Sequence, residues 1–269
     1  MCKIIALVSG KGGVGKTTST INLSAYLKMR GKRVCMIDLD PQRNLTNHCG
    51  VPTSELKNKV TICDIFYRIM DEDTAEEEIC ELMNKSILSL EAGDLVPSSL
   101  MMEKMEDTVS AAVSCERMLE YALQFVKSRY DYILIDCHNG YNVYVKNALA
   151  CCDSVLLPTE AEDYACNGIS DMISHIRQVK KLLNPKIAVE GIFIVKYRNT
   201  SSCRTYQRAI EKNFSAVVPV FPETIPLRTR VTELPSFHMS LFDDDPDSDI
   251  AKAYASIGER MMADAGQGY

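Results

Sequence analysis

The stretch SGKGGVGKTT, residues Ser9 to Thr18, decides the fold class of this chain of 269 residues. Residues 10–17 fit the pattern G-x-x-x-x-G-K-[ST], in which glycines let backbone N–H groups turn inward around phosphates. A short apolar run at 3–9 comes directly before it, and residues 17–30 after it have helical spacing, with Gly31 placed as a stop. The pattern therefore predicts a phosphate-binding loop between a strand and a helix.

Each residue type in this loop has a chemical use. The backbone of Gly12, Gly13, Val14 and Gly15 can cradle phosphates, and the following helix adds its partial positive charge. Lys16 can reach the β- and γ-phosphates, and the hydroxyl of Thr17 can ligate Mg²⁺. The loop by itself predicts a nucleoside triphosphate, ATP or GTP, and Mg²⁺ as cofactors. The chain has no N-K-x-D run of the kind that reads guanine, which favours ATP over GTP.

Alternating apolar runs and helical segments continue along the chain. We predict strands at 3–9, 34–38, 132–136, 154–157 and 189–195, a shorter one at 217–221 and a further one at 86–90. Helices are predicted at 17–30, 100–127, 164–183 and 250–263, and short helices within the acidic stretch 52–85. The order indicates an α/β fold of the P-loop NTPase type: residues 1–269 as one domain, with a mostly parallel twisted sheet and helices on both faces.

The composition is that of an ordinary soluble protein. Hydrophobic residues make up 46% and charged residues 25%, and the net charge of −6 argues against a strongly basic nucleic-acid binder but not against a local basic patch. No run of 18 apolar residues predicts a membrane span, and the N-terminus lacks the features of a signal peptide. The 11 cysteines include no C-x-x-C pair, which indicates reduced, mostly buried thiols and a cytoplasmic protein.

Three aspartates follow predicted strands at positions where they would meet the loop. Asp136 ends the apolar run YILID, where a phosphate-loop enzyme places the carboxylate that holds Mg²⁺. Asp38 and Asp40 lie in IDLDPQ and could orient the metal or the attacking water. The alternative for both is that of a loop aspartate that caps the next helix.

Four stretches of the sequence carry a family resemblance: KGGVGKTT, IDLDPQRN, YDYILID and IPLRTRVTELPSF, supported by LVPSSLMMEKME and AKAYASIGERM. Together they resemble the ParA/Soj family of partitioning ATPases, which belongs to the deviant Walker A group that also includes MinD. The resemblance covers nearly the whole chain. It implies an ATPase that positions plasmid, chromosome or mobile-element DNA and whose slow hydrolysis a partner stimulates.

The resemblance also implies roles for individual residues. Lys11 is the defining residue of the deviant loop and would reach across a homodimer to the partner's ATP, while Lys16 acts within its own chain. Asp40 would orient the attacking water, so that Lys11, Lys16 and Asp40 form the catalytic set. The implied metal residues are Thr17, Asp38 and Asp136, and Thr18 would contact the α-phosphate.

Two further sites follow from the same resemblance. Arg230 aligns with a DNA-contact arginine of the family, and Arg228 and residues 196–198 are additional candidates for salt-sensitive binding to non-specific double-stranded DNA. Lys196, with Tyr197, and Pro226 fall where relatives hold the adenine. The implied partners are a second copy of the chain, DNA of the nucleoid and a ParB-like centromere-binding activator, with no membrane. An acidic run at 242–247 would weaken DNA binding if it lies near the arginines.

The chain departs from the family after Asp136, which by the resemblance matches the Walker B aspartate. In relatives the segment after this aspartate, called the second switch, usually carries a proline pair. This chain has Cys137-His138-Asn139-Gly140 instead, so the resemblance does not extend to the coupling between this segment and the γ-phosphate. Cys137 and His138 would lie on opposite faces of a strand, which argues against a nucleophile–base pair.

Two other functions of the same fold remain as alternatives. A MinD-like ATPase that cycles on membranes predicts a basic amphipathic C-terminal helix, and the ending ERMMADAGQGY has no basic apolar face. An iron–sulfur carrier or reductase predicts cysteines paired across a dimer, for which the adjacent Cys151 and Cys152 are the candidates.

Overall fold

A computed structural model describes residues 2–264 of the chain. In this part of the chain seven strands form one sheet in the order β3-β2-β4-β1-β5-β6-β7, with parallel pairing between all neighbours. The strands are β1 (Lys3–Leu7), β2 (Val34–Leu39), β3 (Asp94–Val96), β4 (Tyr132–Cys137), β5 (Ser154–Glu160), β6 (Ala188–Tyr197) and β7 (Val220–Pro226).

Helices connect the strands and cover the sheet. They are α1 (Lys16–Met29), α2 (Asn44–His48), α3 (Thr53–Leu56), α4 (Ile62–Ile69), α5 (Glu76–Ser86), α6 (Met101–Ala111), α7 (Met118–Leu123), α8 (Val143–Cys151), α9 (Ala165–Leu182), α10 (Ser201–Phe214), α11 (Thr229–Phe237), α12 (Leu241–Asp244) and α13 (Asp249–Asp264). The predicted α/β class with helices on both faces is confirmed.

The central strand β1 shows how the sequence builds two cores. Ile4 and Ala6 face one side of the sheet and join a core with helices α4 to α10, whereas Ile5 and Leu7 face the other and pack with α1, α11, α12 and α13. Successive strand residues point to opposite faces, so a strand covered on both sides is apolar throughout. This is why the run at 3–9 was predictable as a buried strand.

Three predicted elements differ from the structure. The strand predicted at 217–221 begins only at Val220, as β7, because residues 217–219 form the turn that follows α10. The long helix at 100–127 is two helices, α6 and α7, separated by a turn in which Ser114 has a φ of 53°. A left-handed residue cannot continue an α-helix, so the chain turns there. The strand predicted at 86–90 is only a single antiparallel bridge between Leu88 and Leu95, and the edge strand is β3 instead.

The sheet order determines where a ligand would lie. Strand β1 is hydrogen-bonded to β4 on one side and to β5 on the other, so the loops that follow these strands meet at the carboxyl edge. In open parallel sheets the crevice at this edge, where the strand order reverses, is the usual ligand site.

Candidate nucleotide-binding site

The phosphate-binding loop, residues 10–17, leaves β1 and opens α1. Gly13 and Gly15 have φ values of 74° and 73°, in the left-handed region that side chains rarely adopt, and Gly15 is the N-cap of α1. The helix therefore begins at Lys16 with its first N–H groups directed at the loop. This is the geometry that the sequence predicted for phosphate binding.

The two loop lysines have different environments. Lys16 is 6% exposed, and its Nζ donates to Asn139 Oδ1 at 2.6 Å. The Lys11 side chain is 56% exposed and forms an ion pair with Glu162 in the loop after β5, which raises the pKa of Lys11. Lys16 thus lies inside its own loop, whereas Lys11 points away from it and is accessible from outside the chain.

Thr17 and Asp136, near the end of β4, form a candidate cation site. Thr17 Oγ1 donates to Asp136 Oδ2 at 2.6 Å, while Asp136 Oδ1 is buried and accepts no hydrogen bond from any residue that the structure describes. Asp136 lies beside Asp38 in the register of β2 and β4. Burial and the neighbouring Asp38 raise the pKa of Asp136. A divalent cation would relieve both the repulsion and the unsatisfied oxygen, so these residues fit Mg²⁺.

Asp38 itself is occupied by protein donors. Its Oδ2 accepts from the N–H and the hydroxyl of Thr46 at 2.8 and 2.6 Å, and its Oδ1 accepts from Asp40 N–H at 3.1 Å. These contacts fasten α2 and the loop after β2 to the sheet. The carboxylate therefore anchors this loop, and its predicted role as a metal residue stays a prediction.

Asp40 lies at the same edge and contacts the second switch. Its Oδ1 accepts from Gln42 N–H at 2.9 Å and lies 2.9 Å from Nδ1 of His138. This contact raises the pKa of His138. The adjacent Cys137 is 1% exposed and packs in the core, and burial raises its pKa, so the thiol and the imidazole do not form a nucleophile–base pair.

The cavity above the loop gathers most of the predicted site. It has a volume of about 290 Å³ and is lined by the loop from Gly13 to Thr18 together with Asp40, Asn44, His48, Asn139 and Pro235. Lys196 lies close by: its Nζ donates to Glu160 at 2.8 Å and is 4.0 Å from where a Cβ on Gly13 would be. Pro226 pairs with Tyr197 at the end of β7 and does not line this cavity. Their predicted roles at the adenine stay predictions.

The two arginines predicted to bind DNA are both held by aspartates. Arg230 Nε donates to Asp244 Oδ2 at 2.9 Å, its Nη2 bonds the other oxygen of Asp244, and Nη1 contacts Glu233 at 3.2 Å. Arg228 forms an ion pair with Asp249. The acidic run at 242–247 thus does lie against Arg230, and a phosphate group would have to compete with Asp244 for this arginine.

Three residues of this region had no assigned role in the sequence-based hypothesis: His138, Asn139 and Glu162. The sequence does mark His138 and Asn139, because they stand where relatives have the proline pair. Their partners Asp40 and Lys16, however, lie 98 and 123 positions away. Glu162 lies 151 positions from Lys11. Separations of this size become contacts only through the sheet order.

Helix α13 bears on the MinD-like alternative and Cys152 on the iron–sulfur alternative, and both contribute buried side chains to the core. The apolar residues of α13, among them Ile250, Tyr254 and Ile257, are buried against the sheet and α1. Within residues 2–264 no helix is long and apolar enough to cross a membrane, and the tail 265–269 lies outside the described residues. All 11 cysteines are free, and Cys152 is 2% exposed.

Comparison with known proteins decides the family. The sequence profile of the AAA domain family matches residues 2–189. The sporulation initiation inhibitor protein Soj of Bacillus subtilis is 32% identical over 265 residues, which cover 98% of this chain and 99% of that protein. The chain belongs to the ParA/Soj family of partitioning ATPases. The chromosome-partitioning ATPase Soj of Thermus thermophilus, another member, is 31% identical over 96% of this chain and 95% of its own length.

Solved structures of similar proteins agree with this family. A putative plasmid partition protein of Borrelia burgdorferi, bound to AMPPNP, superposes with a TM-score of 0.76 at 26% identity over 98% of this chain and all of that one. The septum site-determining protein MinD of Pyrococcus horikoshii, in complex with Mg-ADP, gives a TM-score of 0.73 at 25% identity over 99% and 98%. The ligands in both are consistent with the predicted ATP and Mg²⁺.

Proposed function

We propose that this member of the ParA/Soj family is an ATPase that forms a homodimer around ATP and Mg²⁺ and uses hydrolysis to release it. The observation that carries the proposal is the contrast between the two loop lysines: Lys16 is enclosed in its own loop, and Lys11 extends outward. A second copy facing this edge would bring its Lys11 to the first copy's phosphates. Because burying several phosphate charges is costly without counter-charges, ATP would draw the two lysines together.

The reaction assigns one task to each residue. The oxygen of a water bonds to the γ-phosphorus while the bond from that phosphorus to the bridging oxygen breaks. This gives ADP, which keeps the bridging oxygen, and inorganic phosphate, which keeps both protons of the water. Asp40 orients the water, and Lys16 offsets the charge on the γ-phosphate. Lys11 of the second copy stabilises the negative charge that develops on the leaving ADP. Hydrolysis removes the charge that held Lys11, so the dimer would loosen.

Thr17 and Asp136 would hold Mg²⁺, with Asp38 behind them as the residue that fixes the loop. When bound, this ion would neutralise charge on the phosphate groups. The unsatisfied Oδ1 of Asp136 and the hydroxyl of Thr17 supply the ligand types that Mg²⁺ prefers.

Phosphate release from Mg-ATP tests this function. We expect slow steady turnover by the parent protein and none by Lys16→Ala, whose ATP affinity should fall at least about 30-fold because a buried charge loses its partner. Lys186→Ala is the matched control, since this exposed lysine precedes β6 at the opposite edge of the sheet. Equal turnover by the parent and Lys16→Ala would refute the assignment of the site.

The proposal extends to DNA through α11, which carries Arg230. By the family resemblance its guanidinium would bind DNA phosphates, and here it is accessible, with 46% of the side chain exposed. We expect Arg230→Ala to bind random duplex more weakly at low salt, with the slope of log K against log salt reduced by about 0.9 per chain. ATP affinity should not change. Parent-like binding of duplex by this variant would remove Arg230 from the site.

The pairing of Arg230 with Asp244 gives an opposite prediction. Asp244→Asn leaves the side-chain shape but removes the competing charge, so DNA affinity at low salt should rise several-fold. Asp247→Asn is the control for charge alone, because Asp247 is 94% exposed and its contact is with Lys252 rather than with either arginine. Equal gains from the two variants would mean that net charge, and not release of Arg230, changes the affinity.

The remaining parts of the proposal follow from the family. A ParB-like activator that stimulates turnover, and association with nucleoid DNA in the ATP state, are what a partitioning role requires. A pulldown with Asp40→Ala in ATP, read for both DNA and protein, tests them together. Recovery of neither would restrict the proposal to the nucleotide switch.

A further inference from the structure

The residues that replace the usual proline pair of the second switch contact two residues of the proposed catalytic set. His138 Nδ1 lies 2.9 Å from Asp40 Oδ1, and Asn139 Oδ1 accepts from Lys16 Nζ at 2.6 Å. Proline has no side-chain donor or acceptor, so a proline pair cannot make either contact. These two contacts are therefore specific to the sequence Cys137-His138-Asn139-Gly140.

The loop that carries His138 is held firmly on the phosphate-binding loop. Gly140 N–H donates to Ser9 O at 3.2 Å, and the Asn139 amide packs so closely on Gly12 that a Cβ there would lie 2.9 Å from Nδ2. With the Lys16 contact, three separate attachments fix Asn139 and Gly140, the two residues that follow His138. His138 consequently has a rigid base from which to direct its imidazole.

The two oxygens of Asp40 are in unequal environments. Oδ1 is held by the Gln42 N–H and by the imidazole, each at 2.9 Å. Oδ2 receives no hydrogen bond from any described residue, and Asp40 lines the cavity above the loop although it is 5% exposed. One oxygen is thus fixed by the protein, and the other has no protein donor, in a residue that lines the cavity.

We propose that His138 is a positioning residue for Asp40: by donating from Nδ1 to Oδ1, it holds the carboxylate so that Oδ2 orients the attacking water. The inference deepens the proposed function and rests on it. Because a carboxylate only accepts, the imidazole is the donor in this contact, with a proton on Nδ1. The contribution is geometric, because a displacement of the carboxylate by about 1 Å can lower the rate on the order of a hundredfold.

The test compares two variants of nearly the same size. His138→Leu removes the donor, and His138→Asn places an amide N–H close to the former position of Nδ1. We expect kcat to fall about tenfold or more in the Leu variant and to recover most of that loss in the Asn variant. The KM for ATP and the affinity for a fluorescent ATP analogue should stay within about twofold of the parent's in both, since His138 acts on the water and not on binding.

Each result decides the matter. Parent-like kcat in His138→Leu, or an Asn variant as slow as the Leu variant, would overturn the role of the donor. A loss of ATP affinity parallel to the loss of kcat would show that His138 only supports the fold of the site. If the Leu variant melts early, His138→Ala removes the same donor and takes its place. A parent without turnover would refute the proposed ATPase itself, and the role of His138 with it.

Discussion

Asp40→Ala should abolish ATP turnover while ATP still binds, which is one of the two largest effects that we expect from a single substitution. Asp40 lines the cavity and has one carboxylate oxygen without a protein donor, and it forms no hydrogen bond with Lys16, the lysine that we propose binds the phosphates. Loss of a group that positions or activates the attacking water lowers rates by about a hundred- to ten-thousandfold. Phosphate release and binding of a fluorescent ATP analogue, measured on the same preparation, separate the two steps.

The same variant should accumulate in the ATP-bound dimer. In the proposed cycle hydrolysis releases Lys11 from the partner's phosphates, so a chain that cannot hydrolyse should stay associated as long as ATP is present. Asp247→Ala is the matched control, because this aspartate is almost fully exposed and lies outside the site. Turnover by Asp40→Ala within twofold of the parent would remove Asp40 from the catalytic set.

Lys11→Ala should lose both ATP-dependent association and turnover, although its own phosphate-binding loop stays intact. Lys16, the loop glycines and the cation site are all unaffected by removal of an exposed side chain, so ATP affinity of the single chain should stay close to that of the parent. A pair of unit charges 4 Å apart contributes on the order of 4 kcal/mol at an effective dielectric of 20. Two such contacts in a symmetric dimer would decide whether it forms.

Lys186→Ala, at the opposite edge of the sheet, again serves as the control. Lys11→Arg keeps the charge and tests whether position or charge is needed, because a guanidinium differs in shape from an ammonium. A Lys11→Ala protein that still dimerises and hydrolyses ATP like the parent would show that the second lysine does not act in trans. Its ion pair with Glu162 would then be its main interaction.

Much of the fold followed from the sequence because its signals are local. Strand β4 is an apolar run that ends in an aspartate, and α1 lies between a glycine-rich loop and Gly31, whose φ of 77° makes it an effective stop. Helix α8, in contrast, was missed. Most of its residues from Val143 to Ala150 are buried, so it shows neither the polar face of an amphipathic helix nor the shortness of a strand.

The site divides in the same way. The phosphate-binding loop, with Lys16 and Thr17, is one continuous stretch, and a pattern of residue types is enough to predict it. The contact of His138 with Asp40 depends on β2 and β4 being neighbours, which no local pattern records. The contact between Arg230 and Asp244 was partly predictable. Asp244 is only 14 positions away and the acidic run is visible in the sequence, but the sequence does not show that this run folds back onto Arg230.

Sedimentation velocity with Mg²⁺ and either ATP or ADP tests the central claim, that ATP joins two copies of this chain through Lys11. For the parent we expect a shift from monomer to dimer with ATP and monomer alone with ADP, and for Lys11→Ala monomer in both. An ATP-independent oligomer, or a parent that stays monomeric with ATP at saturating concentration, would contradict the claim.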